Sequence, residues 1–324
     1  MKRLHQLVTL CAFVLACGAG ASVQAAEPGA GAKARLEKDA VCTACHNESW
    51  RVPILALYQT KMGNRADPNA PGCTGCHGAS QGHLKEGPGT KPDVVFGKNK
   101  SPADAQNAAC SACHSTNKQT NWSGSPHETR DVTCSNCHQV HTANQKVLSK
   151  ATQAEVCFNC HKTQRAQTHR ISSHPLTNSV LGSAAKMACS DCHNPHGSTG
   201  PSQLVKNSVN ETCYMCHAEK RGPFLYEHAP VTDDCTNCHI VHGSNTAPLL
   251  KNRLPFLCQQ CHQDHGASLK SGASVMNGPI APGTVTTGTA LGKSPSVQGN
   301  GRMCLNCHVQ IHGSNAPSGA FFNR

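Results

Sequence analysis

The sequence predicts a loop-rich fold with a few short α-helices, almost no β-structure, and a core not made of side chains. Three observations lead there. Of 324 residues only 37% are hydrophobic, 22 of those are cysteines, aromatic residues are 4%, and mean hydropathy is −0.42. A chain of this length needs far more apolar area to close conventional domains. The cysteines are accompanied by 21 histidines, an abundance that polar disordered chains do not carry. Strand-period patterns are nearly absent and helix-period stretches are short. A fold built from amino acids alone is excluded.

Taken from the amino terminus, Lys2 and Arg3 precede an apolar run, Leu7 to Ala16, and small residues lead up to Ala25. Residues 1–25 therefore read as a secretory signal cut after Ala25. The run is too short to span a bilayer, and no later stretch approaches the ~20 apolar residues of a membrane helix. Val14-Leu-Ala-Cys17 leaves lipidation of Cys17 as the alternative. Short helices are expected over Lys33 to Cys45, Ile54 to Lys61 and Asn207 to Cys216. The Gly-, Ser-, Thr- and Pro-rich stretch between His262 and Cys304 is expected to be a loop, flexible or ordered on docking.

Once the signal removes Cys11 and Cys17, every remaining cysteine falls in a Cys-x-x-Cys-His run. In chain order the first five are Cys42-Cys45-His46, Cys73-Cys76-His77, Cys110-Cys113-His114, Cys134-Cys137-His138 and Cys157-Cys160-His161. The sixth to tenth are Cys189-Cys192-His193, Cys213-Cys216-His217, Cys235-Cys238-His239, Cys258-Cys261-His262 and Cys304-Cys307-His308. Two thiols at this spacing add to the two vinyl groups on one edge of a haem, and the adjoining imidazole reaches the iron. A zinc site, a redox disulfide or a disulfide framework explains paired cysteines but not a histidine after every pair. The expected fold class is thus a multihaem cytochrome c with ten covalent haems.

Outside the runs and the signal stand His83, His127, His141, His169, His174, His196, His228, His242, His265 and His312, enough for a sixth ligand at every iron. His141, His196, His242 and His265 each follow a run histidine by three residues, and His312 follows by four. Three residues span at most ~10 Å, too little to pass around a porphyrin rim, so each such histidine is expected to ligate a different haem. Iron held by two imidazoles has no open position, which favours electron transfer over substrate chemistry.

The pattern Ser135-Asn-Cys-His-Gln-Val-His141 recurs as Thr236-Asn-Cys-His-Ile-Val-His242, and His127, Leu148 and Cys157 recur as His228, Leu249 and Cys258. An elongated haem wire of two related pentahaem halves follows, residues 26–168 and 169–324. Formal charge is +11, which by itself would suit an anionic partner. Losing Lys2 and Arg3 and adding haem propionates and ferric irons brings the oxidised holoprotein to about −1, so nucleic-acid binding is rejected.

Longer runs carry a resemblance that covers essentially the whole mature chain. They include Ser172-Ser-His-Pro-Leu176, Cys189-Ser-Asp-Cys-His-Asn-Pro-His-Gly-Ser198 and Asn210-Glu-Thr-Cys-Tyr-Met-Cys-His-Ala-Glu-Lys-Arg-Gly-Pro223. Glu227-His-Ala-Pro-Val231, Leu257-Cys-Gln-Gln-Cys-His262, Cys304-Leu-Asn-Cys-His308, His312-Gly-Ser-Asn315 and Pro317-Ser-Gly319 continue it. In these the chain resembles the periplasmic decahaem cytochromes of outer-membrane porin–cytochrome conduits, the MtrA, MtoA, PioA and DmsE group. The resemblance implies a periplasmic haem wire sheathed by an outer-membrane β-barrel porin, since a polar chain cannot face lipid and a closed barrel can. It implies exchange with periplasmic soluble cytochromes and with extracellular iron, other donors or acceptors, or an extracellular multihaem cytochrome. No catalytic residue is expected. Family members carry a distal histidine ahead of the second run, where this chain has Met62. Met62, His169 or an open iron are the alternatives there. A thioether ligand raises haem potential, which leans the expected flow inward, from Fe(II). Outward metal or DMSO respiration and a reductase with one open haem are the competing functions.

Overall fold

The computed structural model describes residues 30–49, 52–64, 67, 69–176, 185–262, 304–306, 308–317, 319 and 322. The expected signal segment, the stretch expected to loop between His262 and Cys304, His265 and Cys307 lie outside them.

Among the described residues the backbone forms short helices and turns, with isolated bridges and no strand. Each of the first nine Cys-x-x-Cys-His runs, all of them described, is one helical turn. The histidine N–H donates to the first cysteine's carbonyl at 2.9 Å in the runs of His46, His114, His138, His193, His217 and His262. A turn places residues three apart on one side, so both thiols and the imidazole address the same space.

The runs come in pairs of unlike construction. Odd-numbered runs end a helix: Ala30–Thr43, Ala103–Ser111, Lys150–Cys157, Val209–Tyr214 and Phe256–Gln259. The first three are alanine-rich, the composition that forms helix most readily. Ser208 starts the fourth by accepting from the Glu211 N–H. Even-numbered runs open their own short turn, as in Cys134–Cys137 and Cys189–Cys192. A polar side chain of the odd helix clamps the start of the even turn. Asp39 accepts from the Cys73 N–H (3.0 Å), Asn107 from Cys134 (2.9 Å), Gln153 from Ser190 (2.9 Å) and Asn210 from Cys235 (2.8 Å). These clamps are buried or half-buried: Asp39 is 1% exposed, Asn107 and Asn210 7%. The first eight runs are thus joined two by two.

Two expected helices fall close to place, the first as Ala30–Thr43 and the last as Val209–Tyr214. The segment from Ile54 instead forms a six-residue 3-10 helix, Ile54–Gln59, closed by Thr60 in extended conformation. The buried apolar side chains are few and mostly small, Leu57, Ala154, Phe158, Ala185, Ala188 and Leu250 among them, while Val41, Leu148, Ile171, Leu225 and Phe256 stay exposed. Among the described residues side chains do not supply a core. Contacts cross the expected division after residue 168: Lys150 pairs with Asp191 at 3.0 Å, and His127 reaches the Pro195 carbonyl.

Candidate haem sites

Imidazoles meet in pairs, each joining a run histidine to a histidine outside its run. His46 faces His83 at a ring-centroid distance of 6.0 Å, His77 faces His141 at 6.3 Å, and His138 faces His196 at 6.1 Å. His161 faces His127 at 6.1 Å, His193 faces His242 at 6.2 Å, and His217 faces His174 at 6.5 Å. His239 faces His312 at 6.3 Å and His262 faces His228 at 6.1 Å. Stacked rings without anything between them approach more closely. Two metal–imidazole bonds of about 2 Å each, with the radius of each ring added, separate the centroids by about 6 Å. The pairs are thus spaced to hold one iron apiece, and the group implied by the cysteine runs fits between them.

The outer ring nitrogens set the tautomer. Nδ1 of His77, His83, His174 and His228 donates to the carbonyls of Val94, Thr90, Val241 and Ile311 at 2.9, 2.6, 2.7 and 3.0 Å. His127, His141, His193 and His239 do the same toward Pro195, Ile54, Ser202 and Pro248. A donating Nδ1 leaves the Nε2 lone pair facing inward, as an axial ligand requires. Burial, aided by neighbouring imidazoles, holds His77, His196 and His242 below the ordinary histidine value, which keeps them neutral.

The thiols order the runs in space. First cysteines meet within each odd–even pair: Cys42 with Cys73, Cys110 with Cys134, Cys157 with Cys189, Cys213 with Cys235, Cys258 with Cys304. Second cysteines approach across to the next pair: Cys76 with Cys113, Cys137 with Cys160, Cys192 with Cys216, Cys238 with Cys261. The runs therefore follow one another in sequence order, each adjoining the next. Burial pushes the Cys73 thiol up to about 12, and hydrogen bonds from Cys157 and Cys213 bring Cys189 and Cys235 down to about 7. A cavity of about 2980 Å³ runs beside this series from Met62 and Cys110 to His312 and Phe322. Each haem would be bonded by two thioethers and a run imidazole, with a facing imidazole as sixth ligand at the eight paired runs, and would supply a one-electron couple.

Among the described residues two candidate sixth ligands are not brought into a pair. His169 is exposed and borders a small separate pocket with Glu155, Phe158, Asn159 and Arg165. Met62 is half-buried and lines the large cavity, as does His114, which no described imidazole faces. Sequence reading missed the clamps, although a polar residue three positions before the cysteine, as in Asp39, Asn107 and Asn210, was their signal.

A family model described as the doubled CXXCH motif matches residues 182–222 and 228–267. One described as cytochrome c-type protein NrfB-like matches residues 73–160. The chain is 45% identical over 288 residues to the multiheme cytochrome MtrA of Shewanella baltica (strain OS185), covering 87% of this chain and 80% of that protein. Paired runs, facing imidazoles and that identity make this chain a member of the MtrA-like multihaem cytochromes c, electron-transfer proteins that bind haem covalently.

Proposed function

We propose that the chain is a ten-haem wire that carries electrons across the outer membrane inside a β-barrel porin. The observation that supports this best is the ordered series of runs, in which first cysteines hydrogen-bond within each pair and second cysteines lie near enough to those of the next pair to influence them electrostatically. A series with paired imidazoles at most irons relays electrons and leaves no room for substrate. Among the described residues no helix is long and apolar enough to cross a membrane, and the exposed backbone of loops requires a protein sheath within lipid. The barrel is that sheath. The protein is periplasmic, held at the outer membrane by its barrel, and exchanges electrons with soluble cytochromes at the inner end. At the outer end it meets extracellular iron directly or through a surface multihaem cytochrome.

Net flow runs inward, from a donor such as Fe(II), because a thioether-ligated haem among the first runs is an electron sink near the periplasmic end. Outward flow to metal or DMSO respiration uses the same wire in reverse. A reductase reading would need an open iron, and the His114 haem is where the described residues would put it. Outer-membrane vesicles carrying the barrel and cytochrome, loaded with oxidised acceptor dye, test the conduit. External reductant should bleach the dye at a rate lost when the cytochrome is absent. Equal rates without it, or recovery of the cytochrome in the soluble fraction while its barrel is present, would overturn the proposal.

A further inference from the structure

From the second run to the ninth the imidazole pairs follow a rule, and it points to the partner of the third, the run among these that no described imidazole faces. The histidine facing an odd-numbered run comes from the segment between the runs two and one before it. His127, between the third and fourth runs, faces the fifth; His174, between the fifth and sixth, faces the seventh; His228, between the seventh and eighth, faces the ninth. The histidine facing an even-numbered run lies just after the run two further on: His141 for the second, His196 for the fourth, His242 for the sixth, His312 for the eighth. The third run must then draw its partner from residues 47–72, which contain no histidine and one methionine, Met62.

A second regularity, in the hydrogen bonds of these partners, leads to the same segment. Three times the odd-run partner donates through Nδ1 to the carbonyl immediately before the even-run partner. His127 reaches Pro195 beside His196 at 2.7 Å, His174 reaches Val241 beside His242 at 2.7 Å, and His228 reaches Ile311 beside His312 at 3.0 Å. The remaining even-run partner is His141, preceded by Val140, and the segment docked on it is the one that holds Met62: His141 Nδ1 donates to the Ile54 carbonyl at 3.0 Å. Met62 and Val140 both line the cavity, whose amino-terminal end is otherwise formed by Lys98, Cys110, Ser111 and His114, with nothing from the first two runs. The neighbouring Lys61 is exposed.

We infer that Met62 supplies the sixth ligand of the haem bonded by Cys110, Cys113 and His114, making the third haem a His/Met centre beside the bis-imidazole ones of the eight paired runs. The inference rests on the multihaem reading above and assigns one of its sites. It also removes His169 from the ligand set, because His174 already fills the seventh run's place. A thioether favours the ferrous state more than imidazole does, so the third haem carries the most positive potential of the series.

The holoprotein tests this by near-infrared magnetic circular dichroism and by redox titration. The oxidised wild type should show one thioether-to-iron charge-transfer band and no high-spin iron. Met62→His should abolish the band, keep the haem number and lower the most positive potential; Met62→Ala should convert one haem to high spin. His169→Ala should change neither spectrum nor titration. A Cys110→Ala/Cys113→Ala variant, lacking one haem by mass, should lose the band with it. Absence of the band in the wild type, its survival in Met62→His, high-spin iron in the wild type, or persistence of the band without the third haem overturns the assignment. Conduction across vesicles is read separately, so failure of the ligand assignment and failure of the conduit are distinguishable.

Discussion

The junction around His174 and His242 and the junction around Met62 and His141 join corresponding segments with the hydrogen bond reversed. In the first, His174 Nδ1 donates to the Val241 carbonyl, Ser172 and Ser244 exchange backbone hydrogen bonds at 2.9 and 2.7 Å, and Gly243 sits at φ +150°. A Cβ on that glycine would lie 2.0 Å from the Gln167 carbonyl oxygen. In the second, a thioether has no N–H to give, and the donor is His141, reaching back to Ile54. Thr142 occupies the position of Gly243. With Met62 in the place proposed for it, a change of axial ligand goes with a change in the hydrogen bond that docks its segment, as expected when the outer nitrogen of an imidazole both orients the ring and holds two segments together.

Preventing covalent haem attachment would erase both junctions, because facing imidazoles and thioethers, not apolar side chains, join the segments. Expressed without haem ligation, the chain should lack a cooperative unfolding transition and be rapidly proteolysed. A folded apoprotein would break the comparison at its base. Next in size, His174→Met should turn the regular junction into the exceptional kind. It should add a second thioether band and raise the potential of the seventh haem, read in the same titration as the native one.

Gly243→Ala should strain the regular junction by about 1–3 kcal/mol, lowering the unfolding midpoint, whereas Thr142→Gly should move it little. Equal effects would show that the two junctions do not differ in closeness. An effect of similar size is expected at a clamp. Asn210 donates to the Val231 and Thr232 carbonyls and accepts from the Cys235 N–H. Asn210→Ala should cost about 1–3 kcal/mol for the unmade bonds, and Asn107→Ala, with one carbonyl partner fewer, should cost less in thermal denaturation of the two variants.

The haem runs were legible because their chemistry is local: two thiols and an imidazole within five residues. Short reach along the chain likewise sends His141, His196 and His242 to histidines outside their own runs. Which ring each meets was not legible. His138 and His196 are brought together by docking across many loop residues, and no periodicity encodes that. His169 and His174 look alike in the sequence, and only position separates an exposed ring from one aimed at His217. The stretch from Ile54 has helical composition, yet Pro53 and Thr60 bound it too tightly for an α-helix. The two-run unit went unread because its clamp is an aspartate, an asparagine or a glutamine, a shared hydrogen-bonding role without a shared residue.

The claim on which all of this depends is that every Cys-x-x-Cys-His run is filled and that haem stands in place of a core. Intact mass of the mature holoprotein, taken after denaturation in the presence of a thiol-alkylating reagent, tests it in one measurement. The account predicts a mass equal to the chain plus ten haems and no alkylation at any of the run cysteines. A mass short of ten haems, or a single alkylated run cysteine in the fully matured protein, would contradict it.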